Sequence, residues 1–154
     1  MRRGDLILRV LFLHGMESKP GGRKPMALEE LGHQVLNPSL PKGDFDESVR
    51  IAQEEIDLMQ PDVIVGSSRG GAVAMSVDPG AAKMILIAPA WRHFDVPPKV
   101  PAGTPILHCP SDGTVDIEDS EILEATCNAN LVQCGQGHHM NDEDALQTLS
   151  ELVC

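Results

Sequence analysis

Positive charge is scarce in this chain. Twelve Lys and Arg residues face twenty-three Asp and Glu residues over 154 positions, a formal net charge of −11. Such an imbalance repels phosphate backbones and anionic lipid surfaces, so neither a nucleic acid nor a membrane is expected as a partner. No apolar run approaches the length of a membrane span. The arginine-led N-terminus carries Asp5 and Arg9 within its apolar stretch and no small-residue cleavage site after it, so it reads as a strand rather than a secretory signal. There is no C-x-x-C pair among Cys109, Cys127, Cys134 and Cys154. Without a signal, four such cysteines read as reduced thiols in a cytoplasmic protein, not as a disulfide framework. Internal repeats, low-complexity runs and a dividing linker are also missing. Residues 1–154 are therefore expected to form one domain with one real core.

What is present alternates. Residues 6–13, LILRVLFL, are nearly continuous and branched, the mark of a strand buried on both faces. Further strands are expected over 34–38, 62–65, 83–88, 105–109 and 130–134. Helices are expected over about 24–31, 45–59, 70–77, 118–128 and 142–153. In the second of these, Phe45, Val49, Ala52, Ile56 and Met59 recur at helical spacing, and Asp44 with Glu47 has the form of a capping box. Strands alternating with helices imply right-handed crossovers. The expected fold is an α/β three-layer sandwich: a mostly parallel sheet of about six strands with helices on both faces.

In an open parallel sheet, sites lie beyond the carboxyl ends of the strands. His14, Gly15 and Met16 follow the first expected strand and Ser68 the third. Ser111 and Asp112 follow the fifth, and His138 and His139 the sixth. A serine, an acid and a histidine thus fall on one edge. The serine is centred in Gly66-Ser67-Ser68-Arg69-Gly70, a G-x-S-x-G between a branched strand and a small-residue helix. A serine hydroxyl is a poor nucleophile until a base takes its proton, imidazole titrates near neutrality, and a carboxylate on the far ring nitrogen fixes the tautomer. Glycine at 66 and 70 lets neighbouring backbone approach the turn that carries Ser68.

With "LFLHG", "GSSRGG", "ILHCPSDGTVD" and "GQGHHM", the chain resembles the α/β-hydrolase superfamily over nearly its whole length, in the compact form without a cap domain. The order Ser, Asp, His is the one that superfamily uses. The resemblance implies a six-strand core lacking the first strands. It implies Ser68 as nucleophile, Asp112 as acid and His138 as base, with Ser67, Asp116 and His139 as the respective rivals. It also implies oxyanion donors at the backbone N–H groups of Met16 and Arg69.

The remaining residues carry plainer expectations. Trp91 and Phe94 either line a substrate pocket or cover the sheet edge. Arg69 is expected to pair with a surface carboxylate, with attraction of an acidic substrate as the alternative. His14 and His108 are read as structural, and His33 and His93 as exposed. The acidic start of the last helix reads as complementarity to its macrodipole. The activity expected is that of a carboxylesterase acting on small or short-chain esters through an acyl-enzyme, with no cofactor and no metal. A thioesterase or peptidase with the same triad, an idle binding module of the same fold, and a metal protein using Cys134, His138 and His139 are the competing readings.

Overall fold

A computed structural model describes residues 6–15 and 22–154. Six strands form one sheet: β1 (Arg9–Leu13), β2 (Gln34–Leu36), β3 (Val63–Ser67), β4 (Lys83–Ile87), β5 (Pro105–His108) and β6 (Asn130–Gln133). Their order is β2-β1-β3-β4-β5-β6, and every neighbouring pair is parallel. Five helices cover the sheet: α1 (Arg23–Glu30), α2 (Phe45–Met59), α3 (Arg69–Ala74), α4 (Glu118–Cys127) and α5 (Glu143–Val153). This is the expected three-layer sandwich.

Side-chain alternation divides the apolar strands between two cores. Leu11, Leu13, Ile64, Leu86 and Ile106 face one side, where Ala52 and Ile56 of α2, Val73 of α3 and Leu123 of α4 meet them. Val10, Phe12, Val65, Ile85 and Leu107 face the other, against Leu28 of α1 and Ala145, Leu149 and Val153 of α5. Both faces of the central strands are therefore dry, which is why they read as continuous apolar runs. Leu6 and Ile7 are the exception: they precede β1 and are exposed.

Half of the capping box forms. Asp44 accepts from the Glu47 N–H at 3.0 Å. The Glu47 carboxylate does not reach back; it accepts from Nε of Arg50 at 2.8 Å. The guanidinium one turn ahead is a stronger partner than a terminal amide.

The strand order reverses direction between β1 and β3. The chain runs outward from β1 to β2, then returns through α2 to the far side of β1. The carboxyl ends of β1 and β3 therefore lie at a switch point of the sheet, the place where open α/β sheets form their crevice.

Candidate active site

Ser68 stands between β3 and α3 with φ 56° and ψ −116°. A non-glycine residue there carries backbone strain that the surroundings must hold. They hold it by hydrogen bonds: the Ser68 N–H donates to Ile87 O at 2.9 Å, and its carbonyl accepts from Gly71 N at 2.9 Å and Ala90 N at 3.0 Å. Close packing completes the turn. A Cβ on Gly70 would fall on the Leu13 carbonyl, and one on Gly66 would lie 2.5 Å from the Gly70 oxygen. Both positions accept only a hydrogen.

The Ser68 hydroxyl lies 2.9 Å from Nε2 of His138. Nδ1 of His138 lies 2.8 Å from Oδ2 of Asp112. With a carboxylate at Nδ1, the proton sits there, and the Nε2 lone pair accepts from Ser68. The chain thus brings residues 68, 112 and 138 into one hydrogen-bonded line.

Asp112 is enclosed. Its side chain has no exposed area. Oδ1 accepts from the N–H groups of Thr114 at 2.8 Å and Val115 at 2.9 Å. Burial alone would raise its carboxyl. The hydrogen bonds from His138, Val115 and Thr114 and the nearby imidazole charge outweigh burial and hold it below the ordinary carboxylate value.

The rivals stand outside this hydrogen-bonded line. Asp116 accepts from the Glu118 N–H at 2.9 Å, a helix-start contact. His139 is exposed and meets His138 edge-on, ring centroids 5.9 Å apart. Ser67 is buried at the end of β3. Among the described residues no group of three His, Cys, Asp or Glu is placed to hold a metal ion. Burial pushes the Cys134 thiol up to about 11, with Asp144 the next cause.

A cavity of about 280 Å³ opens over Ser68. Gly15, Ser67, Ala90, Phe94, Thr114 and Val115 form part of its wall, and so do Lys24, Arg69 and the three histidines 93, 138 and 139. Phe94 is thus a wall residue. Trp91 is not: it is buried in the core, with its indole N–H donated to Asp119 O at 3.0 Å. A large ring with a donor is better satisfied there than at a wet rim.

Two expectations for charged and polar side chains are corrected and a third is extended. Arg69 makes no ion pair among the described residues. It is buried, lies 5.6 Å from the ring centroids of both Phe45 and Phe94, and donates to Pro41 O at 2.8 Å. The two rings stack on each other at 5.2 Å, so the guanidinium rides on an aromatic ledge. His33 is buried rather than exposed, its Nδ1 accepting from Leu8 N at 3.1 Å. The acidic start of α5 does more than face a dipole. Asp142 accepts from Gln136 N and Asp144 from Gly135 N, pinning the loop that carries His138.

From the opposite side Lys24 pins that loop as well. Its Nζ donates to His139 O at 2.6 Å and Asn141 Oδ1 at 3.1 Å. Sequence reasoning passed over Lys24, because only the packing of α1 beside α5 turns that position toward the site. His14 bonds to backbone. His14 Nδ1–H donates to Gly15 O and its Nε2 accepts from Leu40 N. His108 stands behind Asp112. The Arg69 N–H has no acceptor among the described residues. Met16, the other expected oxyanion donor, lies outside the described residues.

No protein-family model matches the chain, and no curated relative matches it by sequence. Solved structures do match it. A protein of Xanthomonas campestris assigned to the α/β-hydrolase superfamily is 21% identical, with a TM-score of 0.75, over 95% of this chain and 96% of that one. Mouse α/β hydrolase domain-containing protein 10 is 15% identical, with a TM-score of 0.77, over 94% and 87%. Est1E from Butyrivibrio proteoclasticus is 16% identical, with a TM-score of 0.69, over 96% and 85%. The chain has the α/β-hydrolase fold. Among the described residues no helix is long and apolar enough to cross a membrane.

Proposed function

We propose that the protein is a serine hydrolase of the carboxylesterase type, acting on small esters. The observation that carries this is the unbroken line from Ser68 Oγ through His138 to a buried Asp112, opening on a cavity. Solved proteins with the same fold include esterases and a serine hydrolase homologue, which supports a hydrolytic reading. A cavity of about 280 Å³ suits a short acyl or alcohol group rather than a long lipid chain.

In this reading Ser68 attacks the ester carbonyl and passes its proton to Nε2 of His138. Asp112 holds the ring and stabilises the imidazolium that forms. The oxyanion is met by the Arg69 N–H, with Met16 N–H as the second donor. The alcohol leaves with the proton from His138. Water then attacks the acyl-enzyme, gives its proton to the same nitrogen, and Ser68 is restored with release of the acid.

The test is a short nitrophenyl ester with the parent and Ser68→Ala proteins, together with fluorophosphonate labelling. Turnover should fall by roughly three orders of magnitude or more on substitution, and the label should map to Ser68. Turnover retained by the alanine variant, or a label on another serine, would remove the mechanism.

A further inference from the structure

The wall of the cavity runs against the composition of the chain. Acidic residues outnumber Lys and Arg by 23 to 12. Yet the described residues lining the cavity over Ser68 include Lys24, Arg69, His93, His138 and His139, and no Asp or Glu. Asp112, the acid nearest in function, stands behind His138.

The lysine and the arginine of this wall are also held in an unusual way. Lys24 is 8% exposed and Arg69 2%. Neither has a carboxylate within ion-pair distance among the described residues. Lys24 spends two of its three N–H donors on neutral acceptors, His139 O and Asn141 Oδ1. Arg69 spends one on Pro41 O, and its Nε is buried with no partner. The acid that acts on Arg69 is Asp44, through space and without a contact. Burying a charge without an opposite one costs several kcal/mol in general, so buried cations are ordinarily paired. Here donors are left over on two residues that line a cavity open to solvent.

We propose that this cavity takes an ester whose acyl or alcohol part carries its own anion, a carboxylate or a phosphate, held by the remaining N–H donor of Lys24 in the field of Arg69. The inference rests on the hydrolase reading for the word ester, but the anion preference stands on the cavity wall alone. A bound anion supplies the missing counter-charge, and charge-assisted hydrogen bonds are the strong ones. It also fits a chain of net charge −11 receiving an anionic molecule: the described wall of the cavity carries charge of the opposite sign from the whole. Lys24 then has two tasks, to hold the His138 loop through His139 O and to meet the ligand.

The experiment separates binding from chemistry. Equilibrium binding of two hydrolysis-resistant amides is measured on Ser68→Ala protein: glutaric acid mono-4-nitroanilide and pentanoic acid 4-nitroanilide, which differ by one carboxylate. The charged amide should bind about tenfold more tightly, the worth of one charge-assisted hydrogen bond. In Ser68→Ala/Lys24→Met that ratio should fall toward one; taking the ratio within each protein cancels any general loosening of the site. A phosphonate-terminated amide and one with the carboxylate on the aniline ring show which anion and which side of the scissile bond is preferred. Equal or weaker binding of all the charged amides would overturn the proposal, as would a ratio untouched by the loss of Lys24. The matching esters are then given to the parent protein. Anion-selective binding with no turnover of any ester would leave this inference standing and sink the hydrolase reading instead.

Discussion

Oδ2 of Asp112 lies 3.2 Å from Nε2 of His108, four residues earlier, and neither side chain has any exposed area. The same oxygen meets His138, so one carboxylate oxygen is shared by two imidazoles. Nε2 of His108 also faces Val115 O at 2.9 Å, and with two oxygens at that nitrogen the proton sits there. Nδ1 then accepts from the Ser120 hydroxyl at 2.6 Å. With its N–H given to Val115 O, His108 packs against the carboxylate from behind and lies outside the cavity. It is a positioning residue in the proposed mechanism. His108→Leu should lower kcat by roughly tenfold, since it removes the ring that packs against the carboxylate and ties down Val115 O beside it. KM should change little, and His108→Gln, which keeps a donor, should recover part of the loss. An unchanged kcat in the leucine variant would show that Asp112 needs no such support.

Asp112→Asn should cost more. An amide at 112 offers His138 no charge and favours the wrong tautomer, a change worth about 10⁴ in kcat where such a triad operates. The pH dependence of stability follows from its lowered carboxyl. A carboxyl depressed in the folded state binds its proton less readily than in the unfolded chain. It contributes stability above the ordinary carboxylate pKa, and that contribution is lost as pH falls through the folded value. Urea titrations at neutral pH should therefore find the parent more stable than the asparagine variant. The gap should close at the acid end, and a constant gap would refute the assignment.

Gly70→Ala should disrupt the turn itself. The added methyl meets the Leu13 carbonyl, which is backbone inside the sheet and cannot step aside. A loss of about 3 kcal/mol or more is expected, the range of severe strain in a packed interior. Gly137, whose Cβ would meet nothing within 4 Å, is the control. Thermal melts of the two alanine variants should differ by many degrees.

Lys24 makes the anion preference depend on pH. Burial lowers its amine from 10.5 to about 8. The groups that share its cavity are Arg69, His93, His138 and His139, and its direct contacts, His139 O and Asn141, are neutral. The glutarate-over-pentanoate binding ratio should hold below about pH 8 and decline above it as the ammonium loses its proton. Stability moves the other way. Between about 8 and 10.5 the unfolded chain keeps a proton that the folded one has lost, so this residue's contribution rises with pH there. A binding ratio that is flat from pH 7 to 10 would place the anion elsewhere.

The sequence by itself determined the layers and the order in which the residues of the proposed triad follow one another. Continuous branched runs can be buried only on both faces of a sheet, so β1, β3 and β4 were legible without coordinates. Chain order past each strand end also put Ser68, Asp112 and His138 on one edge, since a parallel sheet sends every strand the same way. Tertiary structure alone decided which of two adjacent candidates turned inward: a one-residue shift in a loop leaves no periodic trace, yet it sent His138 to Ser68 and left His139 at the surface. It also decided the partners of the charges. Arg69 left solvent for a ledge of two phenylalanines, and Lys24 crossed from α1 to a loop more than a hundred residues away, because a long flexible side chain takes whatever surroundings the packing of helices provides.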